Sequence, residues 1–360
     1  VRTTLRSLTI TPLSVPLIEP FVIASARIDV TQAALVRVEL EDSLGGVAVG
    51  LGEAATLPPV THEDQSQVLV ALARAAERLQ GCVFDRIETL TAGLDDALGT
   101  TPVARAGLEC ALLDAWARLA RLPVCTWLGG APRRLTTDIT LPIAEPAHMA
   151  ELAASYRAQG FRSFKVKVGK SLADDVRALR SVRARVPDAT FRLDANAGFR
   201  AAEALELIRE AMSAGLTLEC FEQPCAREDL DGMAKVAANG GVCVIADESV
   251  RDDADLTRLL AARAAHGINL KLVKSGGMLA ALALGRRARA EGLVVMCGGM
   301  VETRLGITAM AHVACALNAV EYVDLDTAFL LAGDPFEGGY DATGPELALS
   351  GAPGFDLRVR

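Results

Sequence analysis

The chain has 360 residues, 51% of them apolar, and a formal net charge of −8 with both signs intermingled. That is enough apolar sequence for one large domain and a smaller one, and too little clustered basic charge for a nucleic-acid or anionic-membrane footprint. There is no run of 18 apolar residues, no signal-like N-terminus and no CxxC pair among the eight cysteines, so the expectation is a cytoplasmic protein with reduced core cysteines and a small soluble substrate.

In chain order, "LRSLTITPLSVPL" and "ALVRVELEDSLGGVAVGLGEA" alternate like antiparallel strands, the second pair turning near Ser43 to Gly46. Helical spacing follows over about 63–80, 84–98 and 102–120, with "LGG" at 128–130 as punctuation. Residues 1–130 are therefore expected to form an α+β domain.

From 131 to 330 the text repeats. "TDITLPI", "SFKVKVG", "TFRLDANAG", "LECFEQP", "CVIADES", "GINLKLVKSGG", "LVVMCGG" and "YVDLDT" are apolar runs ending in polar or glycine residues, with helical segments between them. Markers near their ends (Thr140, Lys167, Asp194, Glu222, Asp247, Lys271, Cys297 and Asp324) recur every 24 to 28 residues. Eight such units predict an α/β fold of the (β/α)8 TIM-barrel type. An open doubly wound sheet is the runner-up, but polar residues close nearly every strand, and neither a GxGxxG fingerprint nor a Walker loop follows any of them. The glycine- and proline-rich tail, 331–360, lacks a further βα unit and is expected to return to the first domain.

Residues i and i+2 of a strand face the same way, so Lys165 and Lys167 project together while Phe164, Val166 and Val168 pack behind. An edge strand carrying lysines for solubility is the alternative. Asp194, Glu222 and Asp247 end three consecutive strands, and their mutual repulsion calls for a hard divalent cation, for which Mg²⁺ suits an all-oxygen site. The four histidines lie off the strand ends, which disfavours zinc. Lys271 ends the sixth strand, across the barrel from Lys167. A cation between two lysines suits removal and return of a proton α to a carboxylate, with burial and Lys165 lowering a neighbouring lysine's pKa. Asp324 and Asp326 share a face of the eighth strand and suit a substrate ammonium group, unless Asp326 caps the next helix.

Together these motifs resemble the enolase superfamily, in its muconate-lactonizing-enzyme subgroup, and within it the dipeptide epimerases. "KVKVG", "LDANAG", "EQP", "ADES" and "NLKLVKSGG" stand in that family's order and spacing. The resemblance implies a (β/α)7β barrel, a capping domain completed by the C-terminal tail, and one Mg²⁺ on Asp194, Glu222 and Asp247. It also implies Lys167 and Lys271 as the acid/base pair, Lys165 on the substrate carboxylate, and Asp324 with Asp326 on the α-ammonium of a dipeptide. Side chains would be read by a capping-domain loop, here "EPFVIASARID", together with Thr140 and Met300; Arg27 is the candidate partner for an acidic side chain. Barrels of this kind often self-associate, so a homo-oligomer is compatible. The competing expectations are an N-acylamino-acid racemase, a muconate cycloisomerase or an o-succinylbenzoate synthase of the same subgroup, and a metal-independent Schiff-base aldolase.

Overall fold

A computed structural model of the chain describes residues 2–317 and 319–360. The alternating N-terminal segments form an antiparallel sheet ordered Val47–Thr56, Gln32–Asp42, Thr3–Leu13, Val83–Phe84. At the tight turn, Asp42 Oδ1 accepts from the backbone N–H groups of Leu44 and Gly46, both at 2.8 Å. Three helices follow, Gln65–Leu79, Ile87–Leu98 and Pro102–Leu119; the first starts in a capping box between Asp64 and Gln67, the third at a helix-initiating proline.

Pro102–Leu119 is buried on nearly every face because it lies directly on strand Val47–Thr56. Two glycines allow that approach: a Cβ on Gly50 would lie 2.0 Å from Ala111 O, and one on Gly52 would lie 2.0 Å from Gly107 O. The expected loop "EPFVIASARID" is largely a β-hairpin, in which Pro16–Val22 pairs with Arg27–Val30. It is tied to the barrel where Ile143 N donates to Val22 O at 2.9 Å and where Leu17 bridges Leu331.

The barrel has eight parallel strands in consecutive order: Ile139–Leu141, Ser163–Lys167, Thr190–Asp194, Thr217–Glu222, Cys243–Ala246, Gly267–Leu270, Val294–Gly298 and Tyr322–Asp324. First and eighth strands have no ladder between them. They meet through Asp138 N to Val323 O at 3.2 Å and Leu325 N to Thr137 Oγ1 at 2.8 Å. Only a 3₁₀ turn, Thr327–Leu330, follows the eighth strand, so the barrel has the (β/α)7β form. No helix among the described residues is long and apolar enough to cross a membrane.

The tail then folds back. Tyr340–Thr343 and Glu346–Leu349 form a hairpin that adds Arg134–Thr136, and Phe336–Gly338 pairs with Leu357–Val359. Buried Asp114 joins three parts of the chain: it accepts from Leu51 N at 3.0 Å in the capping sheet, from Phe355 N at 2.7 Å in the tail, and from Arg118 in its own helix.

A second buried carboxylate crosses from cap to barrel. Glu53 accepts from Thr303 N at 3.1 Å and Gly306 N at 3.0 Å, at the start of helix Arg304–Leu317, where a negative charge meets the helix dipole. Burial, reinforced by nearby Glu302, nevertheless pushes the Glu53 carboxyl up to about 8. Glu53→Ala should lower stability by about 3 kcal/mol through unpaired donors and a cavity, read from the urea midpoint. The folded carboxyl binds its proton more tightly than the unfolded one, so its contribution is greatest at acid pH and is lost as pH rises to about 8; Glu53→Gln should flatten that limb of the thermal-stability profile.

Candidate active site

Every strand-end side chain singled out in the barrel lies at its C-terminal mouth. Lys167 and Asp194 end the second and third strands side by side, and Lys167 Nζ donates to Asp194 Oδ2 at 2.6 Å. Beyond Asp194 the backbone turns through left-handed conformations at Asn196 (φ 42°) and Ala197 (φ 65°). This turn lets Asn196 N donate to Asp194 Oδ1 at 2.9 Å, while Asn196 Oδ1 accepts from Lys167 at 3.1 Å. Glu222 ends the fourth strand. Gln223, next to it, accepts from Asp247 N at 2.8 Å and donates to Ser249 Oγ at 2.7 Å, linking the ends of the fourth and fifth strands. Lys271 stands one residue past the sixth strand, its Nζ 2.8 Å from Asp247 Oδ2.

Lys165 is the centre of the arrangement. Its Nζ lies 3.0 Å from Asp194 Oδ2, 2.7 Å from Glu222 Oε2 and 2.7 Å from Asp324 Oδ2, and the residue is 2% exposed. That burial in an interior strand rules out the edge-strand alternative. Asp326 makes no side-chain cap to the turn that follows it; its Oδ2 accepts from Thr140 N at 2.5 Å instead.

Seven carboxyl groups (Asp138, Asp194, Glu222, Asp247, Glu248, Asp324 and Asp326) are buried here with five cations, Lys165, Lys167, Arg192, Lys271 and Lys274. The negative excess is visible in the carboxyls. Burial and the nearby charges of Asp194 and Asp247 push Glu222 and Glu248 up to about 7, and Glu248 Oε2 is buried without a partner. Burial would also raise Asp194 and Asp247, but lysines in contact hold both well below the usual carboxylate range. An excess of carboxyl groups over cations beside an all-oxygen donor set, Asp194, Glu222 and Asp247, fits one hard divalent cation.

A second acidic group lies alongside. Among the described residues, Asp138, Asp324 and Asp326 are the three carboxylates whose oxygens approach within 4.8 Å of one another, so the tightest acidic triad is not the strand-end one. Its members already have partners: Asp138 pairs with Arg192 at 2.8 Å, Asp324 with Lys165, and Asp326 with the Thr140 N–H. Burial and Asp324 push Asp326 up to about 6, and Oδ1 of both Asp138 and Asp326 is unpartnered.

Across the barrel, Lys271 sits in a field set mainly by carboxylates. Burial and Lys165 do act downward, but Asp247 and Glu222 outweigh them and hold Lys271 above its ordinary value. The carboxylates, not the second lysine, dominate its field.

Above the charges is a pocket of about 400 Å³, counted out to its open mouth. Phe21, Ile23, Leu57 and Val60 roof it, and Thr140, Lys165, Lys167, Asn196, Lys271, Met300 and Asp324 line its floor and sides. Thr140 and Met300 therefore reach it, whereas Asp326 lies buried behind Thr140. Arg27 does not reach it. Across the hairpin Arg27 pairs with Val22 and shares its outward face, alternating with inward Phe21 and Ile23; its guanidinium holds Asp29 at 3.0 Å and is 61% exposed.

Several contributors were not singled out from sequence. Lys274 binds the backbone oxygens of Asp247 and Asn269 at 2.6 and 2.9 Å, and Asn269 Nδ2 donates to Glu222 at 2.7 Å. "NLKLVKSGG" held a usable signal, since Lys274 follows Lys271 by three residues and one helical turn brings it back to the same carboxylate.

A barrel whose mouth holds strand-end carboxylates between opposed lysines, under a separate α+β cap, defines a racemase- or epimerase-type isomerase of the enolase superfamily. Residues 6–129 match the mandelate racemase/muconate lactonizing enzyme N-terminal domain and residues 148–360 the enolase C-terminal domain-like family, and the chain belongs to this family. It is 42% identical to an L-Ala-D/L-amino acid epimerase of Populus trichocarpa, over 95% of this chain and 82% of that one. The substrate-liganded L-Ala-D/L-Glu epimerase of Bacillus subtilis superposes with a TM-score of 0.93 at 34% identity, covering 98% of each chain. An N-succinyl-L-Arg/Lys racemase of Bacillus cereus is 28% identical over 96% of this chain and 92% of that one.

Below the site, Arg192 donates to Asp138, to Val323 O at 2.8 Å and to Glu219 at 2.7 Å, and stacks 4.9 Å from the Tyr322 ring. Arg192→Met should cost about 3 to 5 kcal/mol by stranding two carboxylates. Adding Asp138→Asn should lose less than the two single changes together, a coupling measurable by equilibrium denaturation in a double-mutant cycle.

Proposed function

We propose that the protein epimerises the C-terminal residue of a dipeptide by moving one proton off and onto its α-carbon. The observation that carries this reading is that Lys167 and Lys271, from opposite sides of the barrel, line one pocket whose wall also bears Asp324. Asp194, Glu222 and Asp247 would hold Mg²⁺, and when bound the cation supplies electrostatic stabilisation of the negative charge that develops on the substrate carboxylate.

The chain's own groups divide the remaining work. Asp324, with Asp326 behind it, attracts the dipeptide's α-ammonium and so fixes the far end of the substrate. Lys165, held charged against the cost of burial by Asp194, Asp324 and Glu222, donates to the substrate carboxylate. One of Lys167 and Lys271 removes the α-proton, and the other delivers a proton to the opposite face. Apolar Phe21, Ile23 and Leu57 exclude water, so the proton returns from lysine and the product is the epimer.

An N-acylated amino acid has no ammonium group for Asp324, which argues against the racemase alternative although one relative bears that name. A Schiff-base mechanism leaves the strand-end carboxylates without a role.

In D₂O with Mg²⁺, Lys271→Ala and Lys167→Ala should each lose interconversion of epimers by at least about a thousandfold, yet each should still exchange deuterium into one epimer, as mass spectrometry would read. Loss of exchange into both epimers in both variants, or full interconversion in either, would remove the two-lysine assignment. Asp324→Asn combined with Asp326→Asn should raise KM for dipeptides at least tenfold. Exchange confined to N-succinyl amino acids in the wild type would transfer the assignment to the racemase reading.

Mg²⁺ at a hundred times its Kd should stabilise the EDTA-treated protein by about 2.7 kcal/mol in thermal melts. Asp247→Asn should abolish that shift.

A further inference from the structure

We infer that the inverted residue carries an apolar side chain, aliphatic or aromatic, and that acidic and basic side chains are rejected; this rests on the dipeptide reading. The carbon to be inverted must lie between Lys167 and Lys271. The Phe21 ring is centred 5.7 Å from Lys167 Nζ, so a side chain on that carbon meets the hairpin roof. Phe21, Ile23 and Leu57 are buried at 5%, 1% and 8% exposure, and they offer no polar side-chain atom. The roof is fixed by the Val22 link to Ile143 and by Ala24, which packs against Gly169 beyond the second strand.

Among the described residues lining this pocket, no cation is left for a side-chain carboxylate beyond the lysines that the reaction itself uses. Lys165, Lys167 and Lys271 are each committed to carboxylates. Arg27 faces outward and holds Asp29, and Arg251 contacts His62 beside a different pocket. A side-chain carboxylate under the roof would therefore be buried without a counter-ion of its own, and a side-chain ammonium would face Lys167 and Lys271. Two exposed grooves adjoin the pocket: one shares Lys167 and is lined by Lys170 and by Arg177, itself bonded to Asp174, and the other shares Leu57 and is lined by Arg27, itself bonded to Asp29.

The test is kcat/KM, with deuterium exchange, for the Mg²⁺-loaded wild-type protein on L-Ala-L-Leu, L-Ala-L-Phe, L-Ala-L-Glu and L-Ala-L-Lys. Leu and Phe should exceed Glu and Lys by at least about a hundredfold, in line with rejection of an unpaired buried polar group. Comparable or better turnover of the Glu or Lys dipeptide overturns the side-chain inference and leaves the epimerase reading standing. No exchange with any dipeptide overturns that reading and this inference with it. Ile23→Arg should narrow the Leu-to-Glu ratio at least tenfold, whereas Lys170→Ala should leave the ranking unchanged. Selective loss of Glu-dipeptide turnover in Lys170→Ala would put the side chain in the groove lined by Lys170 and overturn the inference.

Discussion

An ammonium group with almost no access to water must be surrounded by negative charge, and Lys165 shows what that requirement does to a barrel. Its nitrogen touches carboxylates from the third, fourth and eighth strands. Each of those carboxylates would be untenable at that depth without cations, and two are fixed by further donors, Asn196 on Asp194 and Asn269 on Glu222. The result is one charge lattice. Its elements cannot be removed singly, because deleting a partner strands a buried charge, a cost of several kcal/mol. The same lattice joins the two halves of the site, since Lys165 connects the carboxylates suited to a metal with the one suited to an amine.

Rigidity around this lattice comes from unusual local backbone. Asn196, Ala197 and Gln223 have positive φ without being glycine, and each follows a strand that ends in a site carboxylate. Such conformations persist where surrounding hydrogen bonds over-determine them, and those of Asn196 and Gln223 do so here. The cap contributes in the same way: Glu53 holds the start of the helix that follows Met300 and Val301, so one wall of the pocket is positioned from the other domain.

The barrel and its mouth were legible because two simple periodicities determine them. A spacing near 26 residues shows where strands recur, and alternation within each strand shows which side chains share its inner face; Lys167, Asp194 and Glu222 are strand-terminal residues, with Asp247 and Lys271 one residue beyond. Arg27 lies outside the pocket because its direction depends on hairpin register, where a single position exchanges inside for outside. Arg192, Asp138 and Asn269 escaped notice for another reason. Their partners lie across neighbouring strands, and no spacing along the chain encodes such cross-barrel pairs. The field at Lys271 was illegible for the same reason, because the carboxylates that hold it above its ordinary value come from other strands.

The seam between first and eighth strands acquires a significance beyond closure. It lacks a ladder, and Asp138, Thr140 and Asp326 connect across it through main-chain and side-chain hydrogen bonds. The residues that stitch the cylinder shut thus surround the candidate amine pocket. Recognition and architecture occupy the same few atoms there, so sequence drift at this seam is doubly constrained, while the apolar roof over the lysines can change its side chains without disturbing the barrel's closure.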